Sequence, residues 1–331
     1  MPKARYQQVS LCDTPYYHCV SRCVRRAFLC GHDTVTGKNY EHRKQWIAER
    51  LQQLSHTFAL EICAYAIMSN HVHTVLRLMP QTAERWSEEQ VITHWKQLFS
   101  LPVLIERYQS GQCDTPAEQA QARQVITLWR ERLCDLSWFM RCLNEPVARQ
   151  ANAEDNCTGR FWEGRFKSQA LLNEQALLAC MSYVDLNPVR AGISESLEDS
   201  DYTSVQQRIG HLQQRSVSTP VRLAAFIKSS HTNEGIAFSL QDYLELTDWT
   251  GRCIHPKKKG FIPESTPRIL HQLKLDENTW LETVTGFQSG FKTLVGSEQQ
   301  IKTVCQQYEK KWAKGLSLCR RLFKTPDLLP V

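Results

Sequence analysis

Residues 60–78 read Leu60-Glu61-Ile62-Cys63-Ala64-Tyr65-Ala66-Ile67-Met68-Ser69-Asn70-His71-Val72-His73-Thr74-Val75-Leu76-Arg77-Leu78. Two apolar runs, Leu60 to Met68 and His71 to Leu78, flank the turn-forming pair Ser69-Asn70, which predicts two consecutive strands. Successive side chains on a strand point to opposite faces, so His71 and His73 share one face while Val72 packs into the other. Two imidazoles side by side on an exposed strand face are half of a metal site. A polar strand face that happens to hold two histidines is the alternative, and His-x-His by itself does not separate the two.

Working outward, Tyr16 to Val24 is a β-rich run after Pro15, and Tyr40 to Thr57 is an amphipathic helix with Trp46, Ile47, Leu51 and Leu54 on one face. After the two strands, residues 79–134 read as an insertion of helices anchored by Trp86, Trp95, Leu98 and Trp129. Leu136 to Ala151 is a further helix. Arg160 to Leu171 alternates aromatic and basic residues like a strand, and Asn173 is an N-cap for a helix running to about Leu186. The order β-α-β-β-(helical insertion)-α-β-α is a split βαβ pattern. It predicts an α+β fold with a ferredoxin-like antiparallel sheet and helices on one face. Beyond Gly192 the pattern changes. Ser194 to Ser204 is acidic and polar and marks a boundary between residues 1–200 and a mainly helical extension, 201–331, broken by Pro220, Pro256, Pro263 and Pro267.

Composition excludes several classes. The 331 residues are 42% hydrophobic and 22% charged, which argues against disorder, and 14 Gly and 13 Pro argue against a collagen-like chain. No apolar run reaches the roughly 18 residues of a membrane span, and Met1-Pro2-Lys3-Ala4-Arg5 lacks the apolar core of a signal peptide, so a soluble, cytoplasmic protein is expected. The formal charge of +6 falls entirely after residue 200, since the first 200 residues balance. A mild basic excess fits nucleic acid or an acidic surface without distinguishing them. The 13 cysteines are an odd number with no Cys-x-x-Cys pair. Although Cys19, Cys23, Cys30 and His32 lie close together, the expectation is reduced, mostly buried thiols rather than disulfides or zinc.

A second constellation is Tyr183-Val184-Asp185-Leu186-Asn187-Pro188-Val189-Arg190-Ala191-Gly192. Tyr183 and Asn187, four apart, project from one face of a helix. Pro188 disfavours helical geometry at Asn187, so the helix should stop or kink there and present both side chains at an exposed end. A half-buried core tyrosine beside an ordinary helix terminator is the competing reading of the spacing.

Together these motifs resemble the REP-associated tyrosine transposases of bacteria, a branch of the single-tyrosine HUH-endonuclease transposases. The resemblance spans about residues 6–200. It rests on Tyr17-His18-Cys19-Val20-Ser21-Arg22, on Met68 to His73, on Gly159-Arg160-Phe161-Trp162-Glu163-Gly164-Arg165-Phe166 and on Tyr183 to Gly192, four motifs in the right order. Residues 79–134 are longer than the connection in compact members, and 201–331 have no counterpart in the minimal fold. The resemblance implies Tyr183 as nucleophile, with His71, His73 and Asn187 holding Mg²⁺ or Mn²⁺. It also implies a substrate of single-stranded or hairpin DNA with REP-like palindromes, acted on by a monomer or homodimer.

The run Arg160 to Lys167 suits a DNA path, because stacking and phosphate contacts hold single strands. Arg160, Trp162, Arg165, Phe166 and Lys167 are its candidate contacts, with Arg22, Arg25, Arg26 and Arg190 as further phosphate contacts. A partly buried strand with a solvated charged face, and a solvated turn around Arg25, remain open beside that reading. Three function classes stand: a DNA transposase, a relaxase or replication initiator with the same chemistry, and a non-catalytic nucleic-acid-binding module. In the extension, Lys257-Lys258-Lys259, Lys302, Lys310, Lys311, Lys314, Arg320, Arg321 and Lys324 are expected to add phosphate contacts or to brace the first 200 residues.

Overall fold

The computed structural model describes residues 10–24, 29–33, 37–215, 220–227, 235–254, 265–309, 313 and 315–323. The chain forms β1 (Tyr16–Arg22), α1 (His42–Thr57), β2 (Leu60–Ile67) and β3 (His71–Leu78). Four helices of the insertion follow, α2 (Pro80–Arg85), α3 (Glu88–Lys96), α4 (Val103–Gln109) and α5 (Pro116–Arg132), then α6 (Leu136–Glu154) and β4 (Lys167–Leu171). The second half holds α7 (Glu174–Asp185), α8 (Asn187–Arg190), α9 (Ser204–Leu212), α10 (Leu240–Ile254), α11 (Ser265–Gln272), α12 (Glu277–Thr285), α13 (Phe287–Gly290), β5 (Leu294–Val295), α14 (Glu298–Gln307) and α15 (Leu316–Leu322). This is a mixed α+β protein.

The sheet has five strands in the order β2-β3-β1-β4-β5. The first four pair antiparallel, and β5 joins β4 in parallel. Register fixes the faces: His73 lies opposite Val20, which lies opposite Lys167, and His18 lies opposite both Val75 and Gln169. His18, His71, His73, Arg22, Lys167 and Gln169 therefore share one face.

On the other face sit α1 and α6. Asn144 donates to Ser21 Oγ at 2.8 Å, and Thr74 Oγ1 lies 3.9 Å from Met140 Sδ. Pro146 sits inside α6 without breaking it. A proline there leaves the carbonyl four residues back without its amide donor; that carbonyl, of Cys142, accepts from Arg50 Nε at 2.7 Å and so ties α1 to α6. Arg43 of α1 is fully buried and pairs with Glu154 and Asp155 at 2.6 and 2.5 Å.

Two expectations change here. Helices cover both faces, not one: both side-chain sets of β3 are buried, and α7, every residue of which from Ala176 to Asp185 is buried, closes the second face. The strand expected from Arg160 begins only at Lys167. Residues 160–166 are irregular apart from a bridge between Cys23 and Trp162, with Gly159 at φ 107°, a conformation that side-chain-bearing residues disfavour.

The insertion is helical and has a core of its own around Val91, Ile92, Trp95, Ile105, Ile126 and Trp129. Trp95 and Trp129 stack there with ring centroids 4.8 Å apart. The remaining core is continuous from β1 to Phe323, with Val205, Tyr243, Phe287, Val295 and Leu322 in the same cluster as Ile47 and Leu76.

Candidate functional site

β3 and α7 bring the two sequence constellations together. α7 begins where expected, with the Asn173 side chain accepting from the Ala176 amide at 2.8 Å. Its last turn lays Tyr183 across the histidine face of the sheet: the phenol ring meets His73 edge-on at 5.6 Å between centroids and His18 at 6.0 Å. His71 and His73 lie 4.7 Å apart, centroid to centroid. The helix does stop before Pro188, as expected: α7 ends at Asp185 and the chain turns at Leu186. Pro188 then occupies the first turn of a separate short helix, α8, where a missing amide proton costs nothing.

The expected exposed end is instead covered. Tyr183 is 1% exposed, Asn187 9% and His73 0%, so neither the tyrosine and amide nor His73 faces open solvent, while His71 is partly exposed. The cover is α13. Phe287 stacks on Tyr183 at 5.5 Å, and the Tyr183 hydroxyl donates to Gln288 Oε1 at 3.0 Å. Arg190 also lies over the Tyr183 ring, its guanidinium carbon 4.8 Å from the centroid, and donates to the Thr285 carbonyl at 3.0 Å. Burial raises the phenol pKa, while Arg190 and the Asn187 amide pull it down.

Burial also keeps the histidines neutral. His18 and His71 are each pushed down to about 4, the latter with help from Arg22 and His18, and His73 is held well below its ordinary value. Each of the two β3 histidines has one nitrogen engaged: His71 Nδ1 lies 2.5 Å from Asn70 Oδ1, and His73 Nδ1 lies 2.9 Å from His18 Nε2. His73 Nε2 is buried without a hydrogen-bond partner. A neutral imidazole with a buried, unpartnered nitrogen suits a divalent cation, so His71 and His73 fit the metal expected of them. The Asn187 amide nitrogen donates to the Tyr183 carbonyl at 2.9 Å, so that its amide oxygen is the atom with lone pairs to offer. Among the described residues no three His, Cys, Asp or Glu side chains converge to hold a metal. Cys19, Cys23 and Cys30 are buried and none of them is in a disulfide.

The DNA candidates fall into three groups. Arg22 lies opposite His71 at the end of β1 and Lys167 opposite Val20, both exposed on the histidine face, and Arg190 joins them from α8. The connection before β4 holds exposed Arg160 and Arg165 and half-buried Trp162 and Phe166. It is pinned to the end of β1 by the Glu163 backbone amide donating to the Arg22 carbonyl and the Val24 amide donating to that of Phe161, both at 2.9 Å, while Trp162 Nε1 donates to the Asn144 carbonyl. Arg25 and Arg26 lie outside the described residues.

Four neighbours of the site were not among the expected site residues: His18, which lies inside one of the quoted motifs, and Gln169, Phe287 and Gln288. His18 had a signal, since it alternates with Val20 and Arg22 on a run expected to be a strand. Phe287 and Gln288 had none, being more than 100 residues from Tyr183.

No protein-family model and no curated protein matches the chain. Among solved structures, that of a REP-associated tyrosine transposase bound to a REP hairpin overlaps 72% of this chain and 100% of its own, at 13% identity and a TM-score of 0.36. So loose an overlap carries no weight for the function of this chain. Among the described residues no helix is long and apolar enough to cross a membrane.

Proposed function

We propose that the chain is a transposase, a metal-dependent endonuclease and strand transferase acting on single-stranded, hairpin-bearing DNA through a phosphotyrosine at Tyr183. The observation that carries this reading is the convergence of His71, His73 with its unpartnered Nε2 and Tyr183 on one side of the sheet, with Asn187 one helical turn from the tyrosine. Nucleic-acid binding alone requires none of these four. The strand order β2-β3-β1-β4, with α1 and α6 together on one face, supports a ferredoxin-like framework beneath the site.

His71, His73 and the Asn187 oxygen would hold Mg²⁺ or Mn²⁺, the imidazoles being neutral at pH 7. When bound, the cation supplies positive charge to polarise the scissile phosphate and offset charge in the transition state. The Tyr183 hydroxyl loses its proton, its oxygen bonds to phosphorus, and the bond from phosphorus to the 3′ oxygen breaks. That oxygen takes up a proton, leaving a 5′-phosphotyrosine and a free 3′-OH. The ester keeps the phosphodiester energy, so another 3′-OH can reverse the step and join strands without ATP. Arg190, over the ring, favours the phenolate that burial opposes. Arg22 and Lys167 offer charge to the phosphates beside the histidines. DNA reaches the hydroxyl only after Phe287 and Gln288 have moved aside.

That cover is also the observation favouring a second reading, a non-catalytic nucleic-acid-binding protein in which Tyr183 is a core aromatic. Full-length protein incubated with end-labelled hairpin DNA and Mn²⁺ separates the two on a denaturing gel. A covalent adduct that requires Tyr183 supports the transposase; hairpin binding with no adduct at any Mn²⁺ concentration leaves the binder.

A further inference from the structure

We propose that His18 and Gln169 are positioning residues that set the tautomer of His73, leaving the lone pair of His73 Nε2 free for a ligand. The proton placement stands on the hydrogen-bond geometry; the nature of the ligand, a divalent cation, rests on the function proposed above.

The relay crosses three strands. Gln169 on β4 and His18 on β1 are directly opposed, and His73 on β3 is the diagonal neighbour of His18, two residues from its opposed partner Val75. Gln169 Oε1 lies 2.7 Å from His18 Nδ1. A carbonyl oxygen carries only lone pairs, so His18 Nδ1 must bear the proton. A neutral imidazole has a single N–H, so His18 Nε2 is an acceptor, and His73 Nδ1, 2.9 Å away, donates to it. The proton of His73 is thereby fixed on Nδ1. Its Nε2 keeps a lone pair, and that atom is the one left buried with no partner.

Both rings are 0–1% exposed and lie nearly parallel, 8° apart, so neither can turn to water to change its proton. Strand pairing holds the relay rigidly, which a loop-borne histidine would lack. Were the Gln169 amide reversed, every bond in the relay would invert. His73 Nε2 would then carry a proton and could not ligate. The direction of one side-chain amide at the far end therefore decides whether the β3 pair can hold a cation.

The test uses full-length, ¹⁵N-labelled, metal-free protein at pH 7, with long-range ¹⁵N–¹H correlation of the imidazole nitrogens. The expected result is a His73 ring protonated at Nδ1 and bare at Nε2, and a His18 ring with the same pattern. A proton on His73 Nε2, or a ring averaging between tautomers, overturns the proposal whatever Tyr183 does to DNA. Mn²⁺ alone then probes the ligand, by titration calorimetry on variants first shown to be folded by circular dichroism. Gln169→Glu keeps an obligate acceptor and should hold both the tautomer and the affinity within about twofold. Gln169→Leu and His18→Phe should let His73 tautomers mix and weaken Mn²⁺ roughly 10–100-fold. Equal Mn²⁺ affinity in all four proteins, or an unchanged His73 tautomer in His18→Phe, counts against the relay. The expected tautomers and affinities together with no DNA adduct would sink the transposase reading and leave the relay standing.

Discussion

At Tyr183 the hydroxyl and the ring do separate jobs. The ring fills core space between His73, His18 and Phe287, whereas the hydroxyl is a polar group that donates to Gln288 and meets Asn187 and Arg190. Tyr183→Phe should therefore keep the fold, with a stability change within about 1.5 kcal/mol, the usual net value of one hydrogen bond. It should retain hairpin binding and give no adduct. A normal adduct yield would move the nucleophile elsewhere. The two β3 histidines should part company in stability. His73 is wholly buried and bonded to His18, so His73→Ala opens a cavity and strands a buried nitrogen, a loss of roughly 2–4 kcal/mol. His71 is partly exposed, and His71→Ala should cost less than about 1 kcal/mol. Urea unfolding of both variants decides it, and equal losses would mean that burial does not separate the two positions. The expectation that both sit on an exposed strand face fails at His73 because α7 lies across it.

At the scale of elements, much was legible. The run from Leu60 to Leu78 yields two strands with His71 and His73 on one face, and Asn173 caps α7 as its residue type requires. These are local signals, set by alternation and by a side chain bonding its own next turn. What was not legible depends on distant partners. Pro188 reads as a stop or kink, and α7 does end at Asp185, but the short helix α8 that follows had no signal. Arg160 to Phe166 alternates like a strand, but its backbone pairs only briefly with the end of β1. Asp185, between Tyr183 and Asn187, gave no signal at all. It is buried and accepts from Ser204 Oγ, the Val205 amide and Tyr243 at 2.5, 3.1 and 2.6 Å, clamping α7 to α9 and α10. Desolvation raises its pKa from 3.8 to about 6 despite those donors. The folded state therefore binds the proton more tightly than the unfolded state between those values. Ionising Asp185 costs stability as pH rises from about 4 to 6, about 3 kcal/mol in all. His18 and His71, held at about 4, act with the opposite sign, their stability lost as pH falls from 6.5 towards 4, but equally in both proteins compared. Asp185→Asn removes only the first effect. The difference in unfolding free energy, variant minus wild type, should climb by about 3 kcal/mol between pH 4 and pH 7 in urea titrations, and a flat difference would show that Asp185 does not titrate as its burial dictates.

For the whole molecule, the question is what residues 201–331 contribute. Their charge suggested phosphate contacts, but the described basic side chains there are largely spent on partners. Lys302 and Arg320 both pair with Glu298, at 2.7 and 2.6 Å, and Arg321 pairs with Glu282. Lys257-Lys258-Lys259, Lys310, Lys311, Lys314 and Lys324 lie outside the described residues. Packing gives this region a different weight. Leu294 and Val295 extend the sheet beside β4, Ser204 and Tyr243 satisfy Asp185, and Phe287 covers Tyr183. A chain ending at Ser200 would lose all three. It would leave a carboxyl group without its donors and an apolar face of α7 open to water, both costly. Full-length protein should thus unfold in one cooperative thermal transition, while the truncated chain should show no sharp transition, weak near-ultraviolet dichroism and strong binding of a hydrophobic dye. Neutralising residues one at a time in the intact chain is then the sounder way to measure salt dependence of hairpin binding, since each basic side chain withdrawn from a phosphate should flatten the slope by roughly 0.9. A truncated protein that melts sharply and keeps native dichroism would instead make residues 201–331 a separable module, with α7 stable on the sheet without them.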